Sequence, residues 1–322
     1  MSANLKGGAF PVATSPAQQR GKEQAERASI ADMSGNRLGV WLALLSVYVI
    51  WGSTYFAIAV AIGPGGFPPF LMASARFLIA GGLLFTYIKL RGGEWPTLRQ
   101  WGASFLVGCL LLMGGNGLVT FAEKSVASGL AALAIATMPL FAALFAGLWG
   151  KWPGKAEWVG LGVGMVGVVL LNLEGDMQAN PWAALALIGA TASWALGSVW
   201  SRYLPLPKGM MASATEMLGG GAAMLVLGLT LGERVTRIPD LQPILAWLYL
   251  IVFGSIVAFS AYSYLLQKVR PSLATSYAYV NPVVAVALGV GLGGESVTWI
   301  GLVAMPIILI GVGIVVMAKS KG

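Results

Sequence analysis

The chain has 322 residues, of which 57% are hydrophobic and 10% are charged, and it contains no histidine. A soluble globular domain carries about 25% charged residues, so this composition excludes a water-soluble fold. The lack of histidine excludes His-bearing metal sites and Ser-His-Asp triads, and we expect no catalytic residue, no metal and no cofactor. The net charge of +8 does not predict nucleic-acid binding, because the basic residues lie at the ends of apolar segments and form no single patch.

Residues 1–38 are polar and are predicted to form a disordered cytoplasmic tail. Ten apolar segments follow, most of them close to the ~20 residues that a helix needs to cross a bilayer. The predicted spans are 40–62, 69–90, 101–122, 126–149, 156–173, 181–203, 211–232, 244–267, 274–293 and 297–318. The sequence therefore predicts an all-α integral membrane protein with ten transmembrane helices.

The second five spans repeat the first five. A proline lies in the middle of the fourth span of each half, at Pro139 and at Pro282. An odd number of spans per repeat places the two copies upside down relative to each other in the bilayer. Inverted repeats with interrupted helices at corresponding positions are typical of secondary transporters. We predict that 39–176 and 177–322 form two inverted five-helix repeats.

The basic residues predict the orientation in the membrane. With the N-terminus in the cytoplasm, sixteen Lys and Arg residues face inward and only Lys124, Arg234 and Arg237 face outward. This distribution follows the positive-inside rule. It predicts a multi-pass protein of the cell (inner) membrane with both termini in the cytoplasm.

Several short motifs occur in the order that is typical of one known family. They are Trp51-Gly52-Ser53, Ala75-Arg76-Phe77, the two mid-span prolines and Gly293-Gly294-Glu295. Over about residues 40–318 the chain resembles the ten-helix EamA-domain exporters of the drug/metabolite transporter superfamily. The resemblance implies two EamA repeats, a central cavity lined by spans 1–4 and 6–9, and export of small metabolites, amino acids prominent among them. One departure is visible, because the family's Gly-Glu after the fourth span is Gly150-Lys151 in the first half.

Two charged residues, Arg76 and Glu216, lie well inside predicted spans. A charge at that depth costs at least ~2.5–3.5 kcal/mol, so it faces protein or water. Arg76 either has a structural role, as an ion pair with Glu216 or Glu123 or by snorkelling, or lines the substrate path, where a guanidinium suits a carboxylate. Glu216 is a candidate for proton coupling, because burial disfavours a charged carboxylate. The alternatives for Glu216 are a fixed ion pair or hydrogen bond, and exposure to an inner vestibule.

Polar and aromatic side chains recur at helical spacing on several spans. The pattern predicts a shared cavity, although interhelical hydrogen bonding explains any single residue as well. The predicted cavity residues are Trp51, Thr54, Tyr55, Arg76, Asn116, Trp194, Ser198, Ser260, Tyr264, Tyr277 and Asn281. Pro139 and Pro282 are predicted to kink equivalent helices, either as static kinks or as points about which one half rocks against the other.

The leading hypothesis is a secondary transporter that exports small metabolites, most of all amino acids or related compounds, by alternating access. The alternative is an exchanger of nucleotide sugars or other organic anions, which call for more than one cation in the cavity. A non-transport receptor or structural membrane protein is the remote alternative, and we do not expect an enzyme. The expected partners are a small-molecule substrate and the lipid bilayer, with no nucleic acid, and the oligomeric state, monomer or homodimer, stays open.

Overall fold

A computed structural model describes residues 38–172, 181–269, 274–294 and 298–317. Within these ranges the secondary structure is helical and contains no strand. The predicted tail before residue 38, the junction of the two predicted repeats at 173–180 and Glu295 lie outside the described residues.

The described ranges contain eleven helices, numbered here in chain order. They are α1 (Leu38–Ile62), α2 (Pro69–Leu90), α3 (Leu98–Ala122), α4 (Ser128–Ile135), α5 (Met138–Leu148), α6 (Lys155–Asn172), α7 (Pro181–Trp200), α8 (Met210–Thr230), α9 (Leu241–Lys268), α10 (Tyr277–Gly293) and α11 (Trp299–Met317). A short 3₁₀ turn, Ser201–Tyr203, extends α7. Proline at the first position of α2 fits a helix start, where no backbone N–H is needed.

Six of the described helices are long and apolar enough to cross a membrane, namely α1, α2, α3, α7, α8 and α9. Shorter apolar helices occur at Met138–Leu148, Val280–Leu292 and Trp299–Gly311. Large apolar side chains such as Leu83, Val226 and Ile310 are exposed, as expected where lipid replaces water. The prediction of an all-helical membrane protein is confirmed, whereas the number of ten spans stays a prediction.

Equivalent helices of the two repeats pack against each other. The second span of one repeat, α2, packs along that of the other, α8, and the fifth spans α6 and α11 form a second such pair. Glycines allow the close approach, since a side chain at Gly81 would contact the Ala214 carbonyl and one at Gly311 would overlap the backbone of Gly164. Small residues at helix contacts serve this purpose in membranes, where no hydrophobic force joins helices.

Three of the long helices contain a π-helical segment, which has one extra residue per turn. These segments are Val47–Trp51 in α1, Cys109–Gly117 in α3 and Leu250–Val257 in α9. Two of them correspond, because α3 and α9 are the third spans of their repeats. π-Helical turns are rare and occur frequently at functional sites.

The fourth spans of the two repeats differ. The predicted span 126–149 is divided into α4 and α5, and Pro139 is the second residue of α5, where it fits a helix start. Pro282 instead lies inside α10, five residues after its first residue. The two prolines therefore stand at different positions within their helices, so the first repeat has a break where the second has an internal proline.

Candidate functional site

A cavity, called here the central cavity, lies between helices of both predicted repeats. Its empty space is about 570 Å³ when the part open to solvent is counted. Its lining comes from α1, α2, α3, α4, α7, α9 and α10. Eight of the predicted cavity residues line it, namely Trp51, Thr54, Tyr55, Arg76, Asn116, Trp194, Tyr277 and Asn281. Most of the others that line it are apolar, such as Ile58, Leu112 and Phe259.

Three predicted cavity residues, Ser198, Ser260 and Tyr264, are absent from the lining. Ser198 lies behind the wall, where its hydroxyl is 2.7 Å from that of Tyr262. On α9 the lining residues are Gly254 and Phe259. Helical spacing pointed to Ser260 and Tyr264, which lie in the regular helix after the π-helical segment, and it did not identify Gly254 or Phe259.

An aromatic cluster forms one wall of the cavity, with Trp51 at its centre. The Trp51 ring lies edge-on to Trp194 and Tyr277, with centroids 5.4 and 4.8 Å apart, and 5.0 Å from Tyr262. Edge-to-face pairs of this kind are favourable beyond the area that they bury. The Trp51 indole N–H donates to the carbonyl oxygen of Gly254 at 3.0 Å, so the π-helical segment of α9 fixes the wall.

Arg76 is the only charged residue among those described as lining the cavity. Its side chain is 1% exposed, and its Nε donates to Ser255 Oγ at 2.7 Å. Its Nη1 is buried without a hydrogen-bond partner among the described residues. Gly254 leaves room for the guanidinium, since a Cβ there would lie 2.8 Å from Arg76 Nη2. The π-helical segment of α9 therefore orients Arg76, a role that the sequence analysis missed for both Ser255 and Gly254.

The two acidic residues considered as partners of Arg76 differ. Glu123 is buried and interacts electrostatically with the guanidinium. Glu216 is 3% exposed but does not line the cavity. It lies where α8 meets α3, since a side chain at Gly108 would overlap the Glu216 carbonyl and the neighbouring Thr215 donates to Ser104 Oγ at 2.8 Å. Among the described residues, no hydrogen bond or ion pair reaches the Glu216 carboxylate.

Asn116 supplies an acceptor to the same cavity. It belongs to the π-helical segment of α3, and its Oδ1 is buried without a hydrogen-bond partner among the described residues. The neighbouring Gly115 packs against the Trp194 ring. Nearly all buried polar atoms in proteins have a partner, so each exception calls for an explanation. The central cavity thus holds one donor, Arg76 Nη1, and one acceptor, Asn116 Oδ1, that a bound molecule could satisfy.

Asn281 fastens α10 to α1. With its amide oriented to form hydrogen bonds, its nitrogen donates to the carbonyl oxygens of Tyr48 and Tyr277, at 3.1 Å each. Tyr48 also lies 2.6 Å, hydroxyl to hydroxyl, from Ser276 just before α10. Asn281 therefore lines the cavity with an amide that is already held by backbone carbonyls.

Comparison with known proteins identifies the family. The EamA-like transporter family matches the chain twice, over residues 37–173 and 181–317. The uncharacterized inner membrane transporter YedA of Escherichia coli (strain K12) is 48% identical over 278 residues, which cover 86% of this chain and 90% of YedA. The uncharacterized transporter YdfC of Bacillus subtilis (strain 168) is 28% identical over 81% of this chain and 83% of its own length.

A solved crystal structure shares the fold, with a TM-score of 0.66 over 87% of this chain and 97% of that one. At 22% identity this likeness concerns the fold alone. The two family matches and the identity to YedA confirm the resemblance that the motifs indicated. The chain belongs to the EamA-like transporter family of the drug/metabolite transporter superfamily, and it is a multi-pass transporter of the inner membrane.

Proposed function

We propose that the chain exports small zwitterionic metabolites, α-amino acids first among them, by alternating access. One observation carries the proposal. The central cavity buries a cationic donor, Arg76 Nη1, and a neutral acceptor, Asn116 Oδ1, and neither atom has a hydrogen-bond partner among the described residues. An α-amino acid carries the complementary pair, a carboxylate that accepts and an ammonium that donates.

The energetics favour such a ligand. A buried polar atom without a partner costs roughly 1–3 kcal/mol, and a ligand that satisfies both atoms removes both penalties. A guanidinium–carboxylate contact is charge-assisted and about twice as strong as a neutral hydrogen bond. The aromatic wall of Trp51, Trp194 and Tyr277 offers a flat surface to an apolar or aromatic side chain.

The rival functions have less support. Nucleotide sugars and sugar phosphates carry more than one negative charge, whereas Arg76 is the only charged residue described in the cavity lining. A receptor or structural protein has no need of the two matched repeats. An enzyme finds no support among the relatives, since YedA and YdfC are both named transporters.

The transport cycle and its coupling are also proposals. We place both termini in the cytoplasm, because sixteen of the twenty Lys and Arg residues then face inward. Motion of one repeat against the other would expose the cavity to each side in turn, with the α4–α5 break and Pro282 as candidate hinges. Glu216 is the candidate proton carrier, and it would act from the contact between α8 and α3, outside the substrate cavity.

Flux measurements on purified protein in liposomes test the proposal. The labelled panel contains L-phenylalanine, L-leucine, L-lysine and a nucleotide sugar, each with and without a pH gradient. We expect saturable flux of the neutral amino acids. Arg76→Gln should lower it about 10- to 100-fold, because hydrogen bonds to charged groups contribute about 1.5–3 kcal/mol.

Lys89→Gln provides the matched control, since Lys89 lies on the same helix but outside the cavity lining. This variant should retain wild-type flux. Flux of the nucleotide sugar alone would replace the proposal with the organic-anion exchanger. Full amino-acid flux in a folded Arg76→Gln protein would contradict the proposal, because it would show that Arg76 does not bind the carboxylate of the substrate.

A further inference from the structure

An open cleft lies at one end of the helices, separate from the central cavity. It is lined by the end of α1 at Ile62, the start of α2 at Pro69, and Lys124 after α3. Residues 233–237, in the loop between α8 and α9, complete the lining. Three separate segments of the chain therefore form this cleft, called here the outer cleft.

All three basic residues that the sequence analysis placed on the outer side lie in this cleft, namely Lys124, Arg234 and Arg237. They are exposed, and none forms an ion pair with a described residue. Basic residues are disfavoured on the outer side of an inner-membrane protein. Three such residues on two separate loops, gathered in one cleft, indicate that positive charge has a use there.

The one acidic side chain in the described lining of the cleft, Glu233, already accepts two backbone hydrogen bonds. The Glu233 carboxylate accepts from the backbone N–H of Phe70 at 3.2 Å and of Leu71 at 2.9 Å. These are free N–H groups in the first turn of α2, which carries partial positive charge. Glu233 therefore holds a helix start in place, and the cations remain available to an anion from solution.

The outer cleft lies directly beyond the central cavity. On α1, Ile58 lines the cavity and Ile62 lines the cleft, a separation of about 6 Å at 1.5 Å per residue. On α3, Val119 lines the cavity and Lys124 lines the cleft, about 7.5 Å further by the same measure. Ala61 and Ala122 lie between these levels and are fully buried. The buried Thr120 and Glu123 lie at the same depth on this side, so about one helical turn of buried residues separates the two.

We propose that the outer cleft is a second, transient substrate site, in which Lys124, Arg234 and Arg237 bind the carboxylate of a compound that leaves the central cavity. The inference rests on the proposed function, because it takes its ligand from that function. Exposed cations bind a carboxylate weakly, and several in one cleft raise the local concentration of anions. Weak binding suits a site from which the substrate must depart.

A thiol-protection assay tests the cleft without measuring transport. Cys109→Ser removes the single native thiol, and Thr236→Cys places a reporter thiol in the cleft lining. The full-length protein is placed in phosphatidylcholine vesicles and labelled with an uncharged, membrane-impermeant maleimide, which reaches only clefts that face the outside. The rate is measured alone, with L-phenylalanine, and with L-phenylalaninamide, which lacks the carboxylate.

We expect L-phenylalanine to slow the labelling and the amide to leave the rate unchanged. A blocking ligand at about three times its dissociation constant slows the reaction about fourfold. The protection should disappear in Lys124→Gln/Arg234→Gln/Arg237→Gln. It should persist in Arg91→Gln/Lys208→Gln/Lys268→Gln, which removes three cations at the opposite ends of α2, α8 and α9.

Protection that survives the cleft triple variant, or equal protection by the amide, would overturn the inference. So would labelling slowed by phosphatidylglycerol vesicles but not by L-phenylalanine, since the cleft would then bind lipid headgroups. Failure of the proposed function is distinguishable, because it appears as loss of amino-acid flux in the liposome assay. If amino-acid flux is intact but L-phenylalanine does not slow the labelling, only the proposed substrate site in the outer cleft is rejected.

Discussion

The third spans of the two repeats, α3 and α9, share a backbone feature and differ in chemistry. Each contains a π-helical segment, Cys109–Gly117 in α3 and Leu250–Val257 in α9. The segment of α3 presents its own polar atom, Asn116 Oδ1, to the cavity. The segment of α9 instead orients a side chain of α2, because Ser255 accepts from Arg76. A duplicated backbone can thus contribute two different polar groups to one cavity.

Each segment also contains a buried glycine that admits a large side chain. Gly115 of α3 packs against Trp194, and Gly254 of α9 packs against Arg76 and Thr54. The neighbours differ in rigidity, since an indole ring cannot move aside as the end of an arginine can. Substitutions at these two glycines should therefore separate effects on stability from effects on transport.

Gly115→Ala should have the largest effect. The added Cβ would overlap the Trp194 ring and lie 3.3 Å from its Cβ, and overpacking of this kind costs about 1–3 kcal/mol. We expect a lower Tm in detergent together with reduced amino-acid flux. The matched control on the same helix is Gly102→Ala, where nothing lies within 4 Å of the added atom. A Tm equal to that of wild type in Gly115→Ala would show that this contact is not tight.

Gly254→Ala should reduce flux with a smaller change in Tm. The new Cβ would lie 2.8 Å from Arg76 Nη2 and 3.0 Å from Thr54 Cγ2, so the flexible guanidinium moves while the backbone stays. We expect a higher KM for L-phenylalanine in the liposome assay. Gly82→Ala in α2, with no neighbour within 4 Å of the added atom, should behave as wild type. An unchanged KM in Gly254→Ala would show that the position of the Arg76 guanidinium does not affect the binding of L-phenylalanine.

Ser255→Ala should have a moderate effect. It removes the hydroxyl that accepts from Arg76 Nε at 2.7 Å, a hydrogen bond with a net contribution of about 1.5–3 kcal/mol when one partner is charged. Since the guanidinium can still reach a substrate, only part of this loss should appear in KM. Ser255→Thr, which restores a hydroxyl, should recover most of the affinity. If Ser255→Ala matches wild type while Ser255→Thr does not, steric fit outweighs the hydrogen bond.

Glu216→Gln should have the smallest effect on flux without a pH gradient, because Glu216 does not line the cavity. Glutamine is close in size and cannot release a proton. If Glu216 carries the coupled proton, any response of the wild-type flux to a pH gradient disappears in the variant. An unchanged response in Glu216→Gln would assign coupling to another group or show that transport is uncoupled from protons.

Hydropathy alone placed several helices well. The predicted spans 69–90 and 211–232 correspond to Pro69–Leu90 and Met210–Thr230, because long apolar runs in lipid can satisfy their backbone only as helices. The predicted span 126–149 appears as α4 and α5. The proline marked this interruption, but the sequence alone could not distinguish a kink from a break.

The cavity was predictable where a residue's type carried the signal. Arg76 stood out as a charge at membrane depth, and Trp51 and Asn116 stood out as polar or aromatic groups on apolar spans. Ser255 and Gly254 carried no such signal, since serine and glycine are common at helix contacts. Their roles depend on the π-helical segment of α9, whose extra residue per turn shifts every later side chain away from the face that regular 3.6-residue spacing predicts.

The most direct test of the account compares three ligands that differ in one group each. L-Phenylalanine carries both charges, L-phenylalaninamide lacks the carboxylate, and hydrocinnamate lacks the ammonium. Competition of each with labelled L-phenylalanine is measured for wild type, Arg76→Gln and Asn116→Leu in liposomes. We predict that wild type prefers L-phenylalanine, that Arg76→Gln loses its discrimination against the amide, and that Asn116→Leu loses its discrimination against hydrocinnamate. Equal discrimination in all three proteins would contradict the assignment of Arg76 and Asn116 to the two ends of an amino acid.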